Sequence, residues 1–190
     1  MTEEALDKKA AALQAALELI AEQGFHGAPM SRIAERAGIG VGTIYRYFAS
    51  KDDLINALYI EIKSRLTRSI LKGYSEQLPV REGFQHLLDA LVRYCVAHPA
   101  ELAFAEQYEN SPLITAVTRA ELLRLFQPIQ DLFRRALAEQ LLKELPFEMI
   151  GALVYSSVTA LAKLQLSGAM QLGDPRYETG LAAIWDMIKR

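Results

Sequence analysis

Pro29-Met-Ser-Arg-Ile-Ala-Glu-Arg-Ala-Gly-Ile-Gly-Val-Gly-Thr-Ile-Tyr-Arg-Tyr-Phe48 reads as two short helices folded about one tight corner. Ile33 and Ala37, four apart, give the first of them an apolar face. Ala34 is small where two helices must cross closely. Gly38 supplies the positive φ that the corner requires, and Ile39 plugs it. In the second helix Ile44 and Phe48, again four apart, point inward. Val41, Gly42, Thr43, Tyr45, Arg46 and Tyr47 are left on the outer face.

That outer set has the chemistry of a DNA contact: small groups that let backbone approach bases, with hydroxyls and a guanidinium for phosphates. Between Pro29 and Lys51, Arg32, Arg36, Arg46 and Lys51 stand against Glu35, a local balance of +3 in a chain of net charge -2. The patch is basic although the chain is not. Tyr45 and Tyr47 also fit half-buried packing, since tyrosine tolerates one apolar end. A lysine at position 51 opposes the dipole of the helix it begins by several tenths of a kcal/mol, roughly, which favours a functional reason for it. Arg32 and Arg36 are equally consistent with solvent-facing helix charges, the plainer reading for Arg36.

Upstream, Leu6, Ala10, Leu13, Leu17 and Ile20 fall at alternating steps of four and three, one face of a first helix, with Gln14, Glu18 and Glu22 off it. Gly24 is placed to end this helix in a left-handed conformation, Phe25 folding back onto its last turn. Downstream, Ser50-Lys51-Asp52-Asp53 forms a capping box that starts a longer helix carrying Leu54, Leu58, Ile62, Leu66 and Ile70. Phe84, Leu87, Leu88, Leu91 and Cys95 line the next. Pro99 opens a sixth helix, ending near Asn110-Ser111-Pro112, and a seventh covers roughly 115–145 with a kink at Pro128. Pro146 and Pro175 open two more. No alternating β-branched run is long enough for a sheet. The expectation is an all-α chain of about nine helices, with residues 1–50 as a helix-turn-helix domain and 51–190 as a larger helical domain.

With 190 residues, 51% apolar and 23% charged, the composition excludes disorder and collagen-like repeats. Cys95 is the lone cysteine, so a disulfide scaffold is excluded and a reducing cytoplasmic setting is expected. The uncharged stretch 149–162 spans 14 residues, short of the ~20 of a bilayer helix, so no membrane partner is expected. Glu18 and Glu22 interrupt the apolar run near the N-terminus, which argues against a leader. No Walker loop, His-Glu-x-x-His or nucleophile elbow occurs. The three histidines, at 26, 86 and 98, do not form paired Glu-x-x-His motifs. No catalytic residue, metal or cofactor is therefore expected.

The run Ala15-Ala-Leu-Glu-Leu-Ile-Ala-Glu-Gln-Gly-Phe25, followed by Ile33-Ala-Glu-Arg-Ala-Gly-Ile39, Gly42-Thr-Ile-Tyr-Arg-Tyr-Phe48 and Ser50-Lys51, resembles the TetR family of bacterial transcriptional regulators. The match is ordered and nearly gapless over about residues 5–60. The resemblance implies a homodimer that binds double-stranded DNA at an inverted repeat by a repressor-type mechanism. It places Thr43 and Tyr45 at bases or phosphates, and Tyr47 and Lys51 at the phosphate backbone. Where many members carry Ser or Thr before the second helix this chain has Ala28-Pro29, leaving Ser31 as a substitute phosphate contact. Val41 replaces a commonly polar residue, which suggests an apolar contact such as a thymine methyl.

Beyond residue 60 the resemblance is one of pattern. It places a small, largely apolar effector among the helices of residues 54–165. His86, Tyr94, Tyr108, Gln130, Tyr155 and Thr159 are candidate lining residues, each equally readable as a polar group satisfied within the core. The resemblance also makes Val154, Val158 and Leu161, with the stripe Leu181, Ile184, Trp185 and Ile188, a candidate dimer interface. The alternative for these is an ordinary monomeric core. Two other functions compete: a DNA-bound adaptor of the same fold answering to a protein partner, and an all-α enzyme, which lacks any motif.

Overall fold

The computed structural model describes residues 3–109 and 111–190 and is helical nearly throughout. In chain order the helices are α1 (Glu3–Gly27), α2 (Met30–Arg36), α3 (Val41–Tyr47), α4 (Lys51–Ile70) and α5 (Val80–Ala97). They continue with α6 (Pro99–Tyr108), α7 (Ala116–Leu125), α8 (Gln127–Ala138), α9 (Phe147–Leu166) and α10 (Pro175–Ile188). Among the described residues the extended pairing is confined to one isolated bridge between Leu142 and Lys189.

The tenth helix arises where one kinked helix was expected. Pro128 does not bend a continuous helix. It sits in the first turn of α8, where its missing N–H would have no partner anyway, and α7 has already ended at Leu125. The expected stretch to 145 is also too long. Gln140 adopts φ 57°, and the N–H groups of Leu141 and Gln140 return to the carbonyls of Ala136 and Leu137, closing α8. Asn110, expected near the end of α6, lies outside the described residues.

Packing divides the chain into two units, Met1–Lys63 with Ala100–Leu122, and Ser64–Pro99 with Leu123–Arg190. This division differs from a cut after residue 50, because α4 closes the core of the first unit. There Leu54, Ile55, Leu58, Tyr59 and Ile62 are buried together with Leu13, Leu17, Ile20, Ile33 and Ile44. From the later segment Phe104, Ala105, Tyr108 and Ile114 join the same core. The first-helix stripe begins later than its spacing suggests: Leu6 is 50% exposed and burial starts at Ala12.

Asn56 pins the later segment in place. Its side-chain amide donates to the Leu113 carbonyl at 2.8 Å and to the Asp52 carbonyl at 2.8 Å. Its oxygen accepts from the Thr115 N–H at 3.0 Å and the Thr118 hydroxyl at 2.7 Å. The Thr115 hydroxyl in turn accepts from the Thr118 N–H at 3.1 Å, capping α7.

In the second unit α5 packs against α8, α9 and α10 around an aromatic centre. Phe84 lies 4.9 Å from Phe133 and 5.3 Å from Trp185, and Phe133 lies 5.1 Å from Phe147, centroid to centroid. Of the α10 stripe, Trp185 and Ile188 join this centre, while Leu181 and Ile184 are buried within the chain, as is Val158 of α9. Half-buried Val154 also packs on this core, and Leu161 reaches to 3.1 Å of where a Cβ on Gly180 would lie. The expected dimer stripe is thus turned inward. The apolar side chains left outside on α9 include Met149, Leu153, Ala160 and Leu164, which share one face, besides Ala152 and Leu166. At 20 residues α9 is also long and apolar enough, by length and composition, to cross a membrane, although Glu148 and Lys163 lie in its end turns.

Candidate nucleic-acid interface

The geometry of α2 and α3 follows from the corner between them. Gly38 has φ 66°, and the N–H groups of Ile39 and Gly38 reach back to the carbonyls of Ala34 and Glu35, a Schellman closure of α2. Ile39 then packs, half-buried, on the first core, while Ile33 and Ala34 are wholly buried. Gly40 starts α3 in extended conformation. Ile44 and Phe48 face the core, which fixes the rotation of α3 and therefore what it displays.

It displays Val41, 47% exposed, and Tyr45, 51% exposed, with Gly42 and Arg46 beside them and Thr43 partly exposed. Arg46 has no hydrogen bond or ion pair among the described residues, so its guanidinium is unspent. A Cβ on Gly42 would meet nothing within 4 Å. Glycine inside a helix costs about 1 kcal/mol relative to alanine, so a glycine with open space around it serves a surface approach and not internal packing. Tyr47 is half-buried against the first core, its ring 6.4 Å from that of Phe48.

The flanking charges are less uniform than the sequence count implies. Arg36 pairs with Glu22 at 2.6 Å and lies 4.0 Å from Glu18, both on α1. The hydrogen bond from Arg36 is the main cause of the lowered Glu22 pKa. Arg32 donates to the Gln23 amide oxygen at 2.6 Å. Both arginines therefore brace α2 on α1. Ser31 is exposed on the first turn of α2, which Pro29 starts without a side-chain cap.

Lys51 combines two roles. Its ammonium donates to the Phe25 carbonyl and sits 3.8 Å from the Phe25 ring centroid, within cation–π range. Burial lowers its pKa, and Asp52 acts in the opposite direction. Phe25 is available because Gly24 has φ 71° and ψ 176°, a glycine-only conformation. Positive φ was expected there, but the extended ψ re-aims the chain and a last helical turn follows. At the other end Ser50 accepts the Asp53 N–H at 3.1 Å, and its hydroxyl donates to the Asp53 carboxylate at 2.9 Å, capping α4.

Residues 12–58 match the family model described as bacterial regulatory proteins, tetR family, and residues 79–189 match that of a tetracyclin repressor-like C-terminal domain. The chain belongs to the TetR family. The HTH-type transcriptional regulator BetI of Escherichia coli is 31% identical over 139 residues, 70% of this chain and 71% of that protein. The fatty acid metabolism regulator protein of Bacillus subtilis is 36% identical over 70 residues, 37% of this chain and 36% of that protein. A TetR family transcription regulator from Marinobacter aquaeolei VT8 shares the fold, with TM-score 0.90 at 22% identity, covering 100% of this chain and 99% of that one. The family and these relatives are transcription regulators, not enzymes.

In this TetR-family chain the six candidate effector residues are divided between the two units. Tyr108 belongs to the first unit, where it stacks 4.5 Å from Phe104 and its buried hydroxyl has no hydrogen-bond partner among the described residues. The remaining five lie in the second unit. His86 donates through Nε2 to the Lys72 carbonyl at 3.1 Å, and Thr159 donates to the Ser156 carbonyl at 3.1 Å. Tyr94 is buried, its ring 4.4 Å from that of His98, and Tyr155 is half-buried. Gln130 lines a groove of about 430 Å³ whose walls include Phe133, Phe147 and Ile150. Sequence reading missed this groove because its walls come from three elements. Leu153, Ala160 and Leu164, which the sequence already shows as apolar surface spreading around α9, are exposed, and Met149 extends that face.

Proposed function

We propose that this chain is a repressor that binds an inverted-repeat operator as a homodimer in the bacterial cytoplasm and is released by a small, largely apolar effector. The observation that carries the reading is the outer face of α3. Val41, Gly42, Tyr45 and Arg46 have no role inside the chain, yet Ile44 and Phe48 hold them in one orientation. In this reading Thr43 and Tyr45 meet bases or phosphates, and Ser31, Tyr47 and the remaining N–H groups of Lys51 meet the backbone. Arg32 supports α2 from behind. Residues 1–50, with Lys51 at the start of α4, carry the DNA contact, and the helices that follow carry effector binding and dimerisation. One short helix reads too few bases for specificity, which favours a two-fold pair. The unpartnered α9 face of Met149, Leu153, Ala160 and Leu164 is the surface for that pairing.

The test is fluorescence anisotropy with the DNA upstream of the chain's own gene, at several salt concentrations. Tyr45→Ala should weaken operator binding by about 1–3 kcal/mol, and Arg46→Ala should lower affinity for all sequences and reduce the salt slope by about one. Unchanged binding in both variants would remove α3 from the interface.

A further inference from the structure

The groove on the second unit runs from the end of α7 across α8 to the first turns of α9. Its floor is apolar and aromatic: Phe133 and Phe147 meet edge to face, and Ile150 beside them is wholly buried. Its charged groups are few and unequal. The Arg134 guanidinium is paired with Asp131, which also accepts from the Gln127 amide at 3.0 Å. Arg124, one residue from the end of α7, makes no hydrogen bond or ion pair among the described residues. Glu148 lines the same groove and does not pair with Arg124.

We propose that this groove binds an aliphatic monocarboxylate, with its chain over Phe133, Phe147 and Ile150 and its carboxylate on the Arg124 guanidinium. The planar fork of an arginine matches a carboxylate with two parallel hydrogen bonds. A second negative charge on the ligand would face Glu148, which selects a monoanion over a phosphate. A cationic headgroup would face Arg124. The volume falls within the range of small-ligand sites, and a mostly apolar lining with a few polar groups is their usual composition. The proposal rests on the effector reading above and narrows its apolar ligand to an anionic amphiphile. It also gives that ligand a route to act. Arg124 and Leu123 are the last turn of α7, and the first turn of α7 is the segment Asn56 ties to α4.

The experiment titrates the full chain calorimetrically with decanoate, using decanol and decyltrimethylammonium as neutral and cationic controls. Decanoate should bind, and Arg124→Gln should weaken it about ten- to a hundredfold while leaving decanol within about twofold, since a hydrogen-bonded charge is worth about 1.5–3 kcal/mol. Leu137→Asn, at a residue 38% exposed on the groove wall, should weaken decanoate and decanol alike. Decanoate affinity unchanged by Arg124→Gln overturns the proposal, as does binding of the cationic control equal to that of decanoate. Operator anisotropy separates the two readings. Decanoate that binds through Arg124 without altering operator affinity supports the groove and sinks the effector reading. An operator complex dissociated by another apolar compound, in a protein that ignores decanoate, overturns the groove and leaves the regulator standing.

Discussion

Asn56→Asp would test the polar clamp with almost no change in volume. Asn56 is 8% exposed, and its amide makes all four of its hydrogen bonds, two donated and two accepted. A carboxylate keeps the accepted pair from Thr115 and Thr118 but cannot donate. It would set an oxygen against the carbonyls of Asp52 and Leu113 at the 2.8 Å now spanned by N–H groups. One buried unsatisfied polar group costs about 1–3 kcal/mol, and more when charge is involved. The expected loss at neutral pH is therefore about 3–5 kcal/mol, at the upper end for a single substitution. Protonation of the new carboxyl restores one donor, so its pKa in the fold is raised above the ordinary ~3.9. The stabilisation that the proton confers is complete below that ordinary value and disappears as pH rises through the raised one. The penalty relative to the parent should thus be smaller near pH 4 than at pH 7, by about 1.4 kcal/mol for each unit the pKa is raised. Urea unfolding of both proteins at the two pH values measures it. A penalty below about 1 kcal/mol at neutral pH, or one independent of pH, would refute the clamp as an energetic feature.

Gly42→Ala should stabilise the fold by about 0.5–1 kcal/mol in thermal unfolding yet weaken operator binding about tenfold, because its methyl meets no protein atom and enters the space reserved for DNA. Equal operator affinity would show that the space is unused. Ala160→Glu should give a folded monomer by sedimentation with poor operator binding. Ile184→Glu, 5% exposed, should instead unfold the second unit at a cost of several kcal/mol, roughly. A parent chain that sediments as a monomer at micromolar concentration removes the pairing surface. Burial raises the phenol of Tyr108 to about 12, burial and then the Glu109 charge raise that of Tyr59, and burial with the Asp89 hydrogen bond raises that of Tyr177. Stability from these three is intact below about pH 10 and should fall above it by about 1.4 kcal/mol per pH unit for each phenol still protonated in the fold. Unfolding free energies that stay level from about pH 9 to about pH 11 would contradict this.

The α4 stripe Leu54, Leu58, Ile62, Leu66 and Ile70 was legible because a helix buried along its length repeats its apolar residues at the helical period, and all five are buried. The corner at Gly38 was legible for a local reason, a positive φ that few other residues adopt. What α10 packs against was not. A stripe such as Leu181, Ile184, Trp185 and Ile188 announces that it will be covered, not whether its own chain or another copy covers it. Arg36 counted as part of a basic patch until α1 supplied Glu22, fourteen residues away. The Asn56 clamp joins residues 57 to 62 positions apart and leaves no periodic trace. The groove is assembled in the same non-local way, from residues between 123 and 150.

The first unit is discontinuous in sequence, and this bears on how such regulators can be recombined. A fragment ending at residue 50 would carry α1–α3 but none of Leu54, Ile55, Leu58, Phe104, Ala105 or Ile114, which share their core. Such a fragment should be a poor autonomous module. A chimera that grafts a new sensing half onto this DNA reader should keep α4 through Lys63 and also retain 100–122, with Asn56 and its threonines matched as a set. The segment that shuffling would discard as belonging to the sensor is, by packing, part of the reader.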